Sequence, residues 1–268
     1  MATDLRAAAR LGQALTGELI IDCHGHLGPW FNFHIPRQDA ASMVASMDRL
    51  GVRAIVASAH AGIGPDSLLG NELMSAATRD FPGRIYGYVT VNPNYSAEEM
   101  RRELERWGAE PGFLGVKLHP DMHRVDVDDD RYAPAWEYAN ARGLPVLTHT
   151  GEGPPCGPAQ AVKLAERYPQ TPILLGHSGL SPAGVEASIE AARQKETIFL
   201  DITGSMIHYG LLERMVREAG RERVLFGTDL PFLDPRPQFG RVLFAHLSDE
   251  EKRDVLGRNA ARVFKLTG

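Results

Sequence analysis

LPVLTHTGEGPPCGPAQAVKLAERYPQTPILLGHSG, residues 144–179, sets two short apolar runs on either side of a longer mixed segment. Each run (LPVLTHT at 144–150, PILLGHSG at 172–179) is near-continuously apolar until its last residues, as a strand covered on both faces should be. The segment between them, GPAQAVKLAERYP, reads as a helix that opens at Gly-Pro and stops at Pro169. This is a strand–helix–strand unit, and each strand ends at a histidine.

The same alternation runs through the chain. Further apolar runs are LIIDCH (19–24), RAIVASAH (53–60), RIYGYVTVNP (84–93), FLGVKLHP (113–120), TIFLDITG (197–204) and RVLFGTDLP (223–231). Between them lie segments such as SAEEMRRELERWG and SPAGVEASIEAARQK, for which Ser96 and Ser181-Pro182 are good N-caps. The acidic run DVDDDR at 126–131 reads as a solvated loop entering a helix. Eight strands with intervening helices predict a single parallel (β/α)8 TIM barrel over residues 1–268. A short helix should precede it, and residues 248–266 should add one or two more. The rival fold is an open doubly wound sheet, against which stands the missing GxGxxG after the first strand.

Composition narrows the partners. The chain has 268 residues, 43% hydrophobic and 24% charged, with a formal charge of 29 − 34 = −5. Such a chain is neither a disordered tail nor a basic nucleic-acid binder. No apolar stretch reaches membrane-spanning length. The opening MATDLRAAARLGQALTGE is charged throughout and lacks the apolar centre of a signal peptide. Two cysteines, Cys23 and Cys156, suit a reduced, cytoplasmic setting. The expected partner is a small molecule.

A barrel interior is filled with side chains, so chemistry belongs at the C-terminal strand ends. The first strand leaves through Asp22-Cys23-His24-Gly25-His26, and a period of two puts His24 and His26 on one side. Strand five ends at His149, strand six at His177 and strand eight at Asp229. Singly, a strand-end histidine is most often a hydrogen-bonded core residue. Together, four imidazoles and a carboxylate suit Zn²⁺, with Mn²⁺ or Fe²⁺ as alternatives. Asp22 either fixes a histidine tautomer or caps the loop after strand one.

These segments, in this order, resemble the amidohydrolase superfamily, in the amidohydrolase 2 branch related to aminocarboxymuconate semialdehyde decarboxylase. The resemblance rests on DCHGH (22–26), GVKLHP (115–120), LTHT, LLGHSG, LFGTDLP and the tail GRNAARVF (257–264). It implies that His24, His26, His149 and Asp229 bind one catalytic divalent metal, usually zinc. It also implies that His177 faces the substrate as a polarising or proton-transfer residue. Lys117 falls near the lysine that binuclear members carboxylate to bridge two metals. Unmodified, it would bind a substrate carboxylate or form a structural ion pair. His119 shares the strand face of Lys117 and should line the same mouth, with His60 a weaker candidate. His34, His123, His208 and His246 read as surface or loop residues. Homodimers are common in the resembling family.

The first functional reading is a hydrolase acting on an amide, ester or lactone through a metal-activated water. Asp229 would take the nucleophile's proton, and His177 would stabilise the oxyanion. The alternative is a nonoxidative decarboxylase of an unsaturated or aromatic carboxylic acid, which uses the same residues. A binding protein on a degenerate barrel is the third reading. Cys156 reads either as a nucleophile activated by a helix N-terminus or as a loop residue. Trp30, Phe31 and Phe33, with the GEGPP loop, are candidate pocket walls, and Arg37 or Arg124 candidate anion contacts.

Overall fold

The computed structural model describes residues 4–204 and 208–266. Its strands are β1 (Ile21–Leu27), β2 (Ala54–Ala59), β3 (Ile85–Thr90), β4 (Phe113–Leu118), β5 (Val146–His149), β6 (Ile173–Gly176), β7 (Ile198–Asp201) and β8 (Val224–Leu225). They form one eight-stranded sheet in the order β1 to β8, and every adjacent pair is parallel. The order never reverses, which excludes the doubly wound alternative. The sheet nearly closes on itself. The Cys23 N–H donates to Phe226 O at 2.9 Å, and the His26 N–H donates to Leu230 O at 2.8 Å. All of β1 is buried, as its apolar reading requires of a strand packed on both faces.

Helices cover the outside where their sequences demand it. Ser96 opens Ala97–Gly108 with a capping box to Glu99, and Met100, Leu104 and Trp107 turn one face inward. Ser181 caps Pro182–Gln194 by accepting from the Gly184 N–H. The DVDDDR run leads into a short turn at Asp130–Tyr132 and the helix Ala133–Arg142. Asp4 caps the N-terminal helix Leu5–Arg10. After the barrel, Asp249–Arg253, Asp254–Arg258 and Asn259–Val263 follow one another as helical segments. No helix among the described residues is long and apolar enough to cross a membrane.

The tail motif explains itself here. Asn259 Nδ2 donates to Arg221 O at 2.7 Å and to Val224 O at 2.9 Å, tying the tail to the start of β8. Ala260, Val263 and Phe264 then join Ile21, Tyr88 and Leu225 in a cluster under the sheet. Asn259→Ala should therefore lower stability by about 1–3 kcal/mol, because two carbonyls lose a donor with little water to replace it. Urea unfolding tests this; an unchanged midpoint would show the contacts to be dispensable.

Candidate metal centre and substrate cavity

The pairing of β1 with β2 shifts register between Asp22 and Gly25. A bulge of this kind re-aims side chains, and here it carries His24 and His26. Only glycine fits between them: a Cβ on Gly25 would lie 2.3 Å from Ile55 Cδ1. The two imidazoles end with ring centroids 5.1 Å apart. Asp22 holds the bulge to the exit of β8. Its carboxylate accepts from the His24 N–H at 3.0 Å, from the Thr228 N–H at 3.1 Å and from the Thr228 hydroxyl. Of its two expected roles, Asp22 takes the cap.

A residue outside the sequence reading fixes the tautomer instead. His24 Nδ1 lies 2.6 Å from Asp201 Oδ2 at the end of β7, so Nδ1 carries the proton and Nε2 the lone pair. Burial first, and then the Lys117 charge, hold His24 well below the usual histidine range, which keeps it neutral. The Lys117 ammonium donates to His24 Nε2 at 3.1 Å, so a positive charge already meets this lone pair. Lys117 is fully buried, and burial pulls its pKa down to about 8 against the opposing pull of Asp229 and Asp201.

Asp229 joins from β8 with a positive φ of 62°. Its Oδ1 lies 3.3 Å from His24 Nε2 and 3.1 Å from His26 Nε2; its Oδ2 lies 3.8 Å from His177 Nδ1. Burial pushes this carboxyl up, but the imidazoles of His24 and His177 and the hydrogen bond from His26 outweigh it, so Asp229 is ionised. His24, His177 and Asp229 can together hold a metal ion. The donor chemistry fits a divalent first-row cation: a neutral imidazole with its proton tied down, an ionised carboxylate, and His177 Nδ1, buried without a hydrogen-bond partner. The corner is a divalent-metal site.

His149 lines the same cavity, outside the group formed by His24, His177 and Asp229. Its ring meets His177 edge-on at 4.6 Å, while Nε2 lies 3.3 Å from Asp121 Oδ2. His119 stacks on His149 at 4.2 Å and lines the same cavity as Lys117. That cavity has a volume near 290 Å³. Trp30 and Phe232 form an aromatic part of the lining beside His60, and Lys117, His177 and Asp229 line the same cavity.

Several expectations change. Phe31 is 74% exposed and leaves the wall to Trp30, while Phe33 packs on Phe232 at 4.9 Å. Arg37 and Arg124 do not line the cavity. His123 is buried rather than superficial, because the short helix Pro120–His123 turns it inward onto the Tyr132 hydroxyl at 2.8 Å. Cys156 precedes its helix, but burial first and Asp121 second push its thiol up to about 12, the wrong direction for a nucleophile. His60 lines the cavity fully.

The chain is 24% identical to gamma-resorcylate decarboxylase of Polaromonas sp. (strain JS666), over 84% of this chain and 83% of that protein. To gamma-resorcylate decarboxylase of Rhodococcus jostii it is 25% identical, over 73% and 75%. Its fold is similar to manganese-bound 5-carboxyvanillate decarboxylase from Novosphingobium aromaticivorans, with a TM-score of 0.76 at 16% identity, covering 94% and 97% of the two chains. An amidohydrolase family model matches residues 21–266. With that match spanning the whole barrel and its tail, the chain belongs to the amidohydrolase family, in the amidohydrolase 2 branch.

Proposed function

We propose that this enzyme is a metal-dependent nonoxidative decarboxylase of a small aromatic carboxylic acid. The observation that carries the reading is the cavity lining. Trp30 and Phe232 meet edge to face in one part of the lining, a buried lysine stands beside imidazoles and a carboxylate in another, and the volume near 290 Å³ suits one substituted ring. The similar proteins named above support it, since they are decarboxylases. Hydrolysis of an amide, ester or lactone, the first reading from sequence, has the same residues in its favour, while the relatives named above are decarboxylases.

In the proposed reaction the bond between ring and carboxylate breaks, and its electron pair stays on the ring carbon. A proton reaches that carbon and CO₂ leaves. A bound divalent ion, which we propose to load as Mn²⁺ before Zn²⁺, supplies positive charge that anchors the substrate's oxygens. Lys117 and His119 orient the carboxylated end, and the ring packs against Trp30 and Phe232. Asp229 takes up a proton from solvent and hands it through His177, whose Nδ1 lies 3.8 Å from Asp229 Oδ2, to the vacated ring carbon.

The test uses carboxyl-¹³C benzoates with varied ring hydroxyls, in D₂O, beside a panel of lactones and amides. Labelled CO₂ with deuterium at the vacated ring carbon is the expected result. Acid release from the second panel without CO₂ would return the assignment to hydrolysis.

The direct ligands in this proposal are His24, His26, His149 and Asp229. His24 and His26 both address Asp229 Oδ1, whereas His177 addresses Oδ2, the side left for proton transfer. His177→Asn should therefore keep its metal, and His149→Asn should lose it. Elemental analysis separates the two, and the reverse pattern would make His177 the ligand.

A further inference from the structure

Building on the decarboxylase reading, we propose that His60 is a specificity-determining residue that accepts a hydrogen bond from an undissociated ring hydroxyl of the substrate. His60 follows β2 directly and is only 3% exposed. Its Nδ1 lies 2.7 Å from Gly28 O. A carbonyl only accepts, so Nδ1 carries the proton and donates. A second proton on Nε2 would make a cation buried in a wall built from Trp30 and Phe232 and stacked on the His26 ring, which is costly. Nε2 is therefore a lone pair. It is buried and has no partner among the described residues.

Buried acceptors are normally satisfied, and one lining a ligand cavity points to the ligand as its donor. The ring cannot turn over to hide the lone pair without surrendering the bond to Gly28. It is also clamped flat on His26, with centroids 4.8 Å apart and planes 24° apart. A carboxylate or a second acceptor placed here would meet the lone pair and be repelled. An O–H on the ring satisfies it. Lys117 and His60 thus read opposite features: Lys117 takes the anionic group, and His60 takes a neutral donor elsewhere on the same ring.

A site made for a hydroxyl rejects the analogue lacking it, because the buried acceptor is then left unpaired. Binding of 2-, 3- and 4-hydroxybenzoate and 2,6-dihydroxybenzoate, each paired with its fluoro counterpart, would be measured by calorimetry on the manganese-loaded protein. At least one hydroxyl position should bind roughly 10- to 100-fold more tightly than its fluoro partner. His60→Phe keeps a flat ring but removes the acceptor, and should reduce that ratio to about threefold or less. His60→Gln keeps one donor and one acceptor, and should retain part of it; it also serves if the Phe variant does not fold. A preference that survives in a folded, metal-replete His60→Phe protein overturns the proposal, as does a wild-type protein that ignores the hydroxyl or binds none of the acids. Because the readout is binding, hydroxyl selection that depends on His60 without CO₂ release would sink the decarboxylase reading alone. CO₂ release with selection indifferent to His60 would sink this proposal alone.

Discussion

Asp229→Asn should fold, keep an oxygen toward the metal, and release CO₂ about 10²–10⁴-fold more slowly in a single turnover. The fold should survive because Asp229 sits at a positive φ of 62°, a conformation that Asn adopts as readily as Asp. The rate should fall because an amide does not carry the proton that a carboxylate shares with His177. His26 keeps an oxygen beside it, since the amide retains one where Asp229 Oδ1 stands 3.1 Å from Nε2. Among the described residues, Asp229 is the one cavity carboxylate, and it meets three imidazoles, so no described carboxylate there can replace it as a proton carrier. Metal content must be measured alongside, and the rate expressed per metal-loaded site. A near-wild-type rate in the loaded variant would remove Asp229 from proton transfer and leave it as a ligand only.

Most of the barrel was legible because its strands are buried on both faces and so lose the ambiguity of a half-polar pattern. Polar residues stand out at the ends of such runs, and the barrel's geometry brings those ends together. That is why His24, His26, His177 and Asp229 could be read from widely separated positions. Asp201 could not. It stands inside TIFLDITG with nothing in the spacing to separate it from a turn-capping aspartate, and its role appears only when β7 brings it 2.6 Å from His24 Nδ1. The one available signal was its place at a strand exit beside Thr203, to which its Oδ1 is also bonded.

Loop residues were the harder case. Trp30 and Phe31 are neighbours in sequence with the same chemistry, yet one lines the cavity and the other is 74% exposed. Periodicity does not operate where the backbone is irregular, so nothing local distinguishes them. His60 was undervalued for a related reason. The apolar run 53–60 placed it at the end of β2, but the proposed role rests on the bond to Gly28 from another loop, which sets its tautomer. Spacing gives position along a strand; it does not give the partner that decides which nitrogen is free.

The paired change His24→Ala/His26→Ala should empty the metal site while leaving the barrel folded. Both side chains sit on the bulge of β1, but the bulge itself is held by Asp22, Thr228 and the backbone bonds to β8, none of which involves an imidazole. The structural penalties fall on Asp201, which loses His24 but keeps Thr203 through both its N–H and its hydroxyl, and on Lys117, whose buried ammonium loses its His24 acceptor. Metal binding has no such reserve. His149 and Asp229, the two proposed ligands left, cannot hold a first-row cation firmly against water, and the loss of even an outer partner of a ligating histidine typically costs 10- to 100-fold in affinity. Removal of two imidazoles should exceed about 100-fold, so dialysed protein should carry almost no ion. His34→Ala, at an exposed position, should change nothing. Asp201→Asn should fall between them, weakened by the outer-partner factor because His24 keeps its nitrogen but loses the carboxylate that orients it. Unchanged metal in a well-folded double variant would move the centre away from β1, toward His149 and His177.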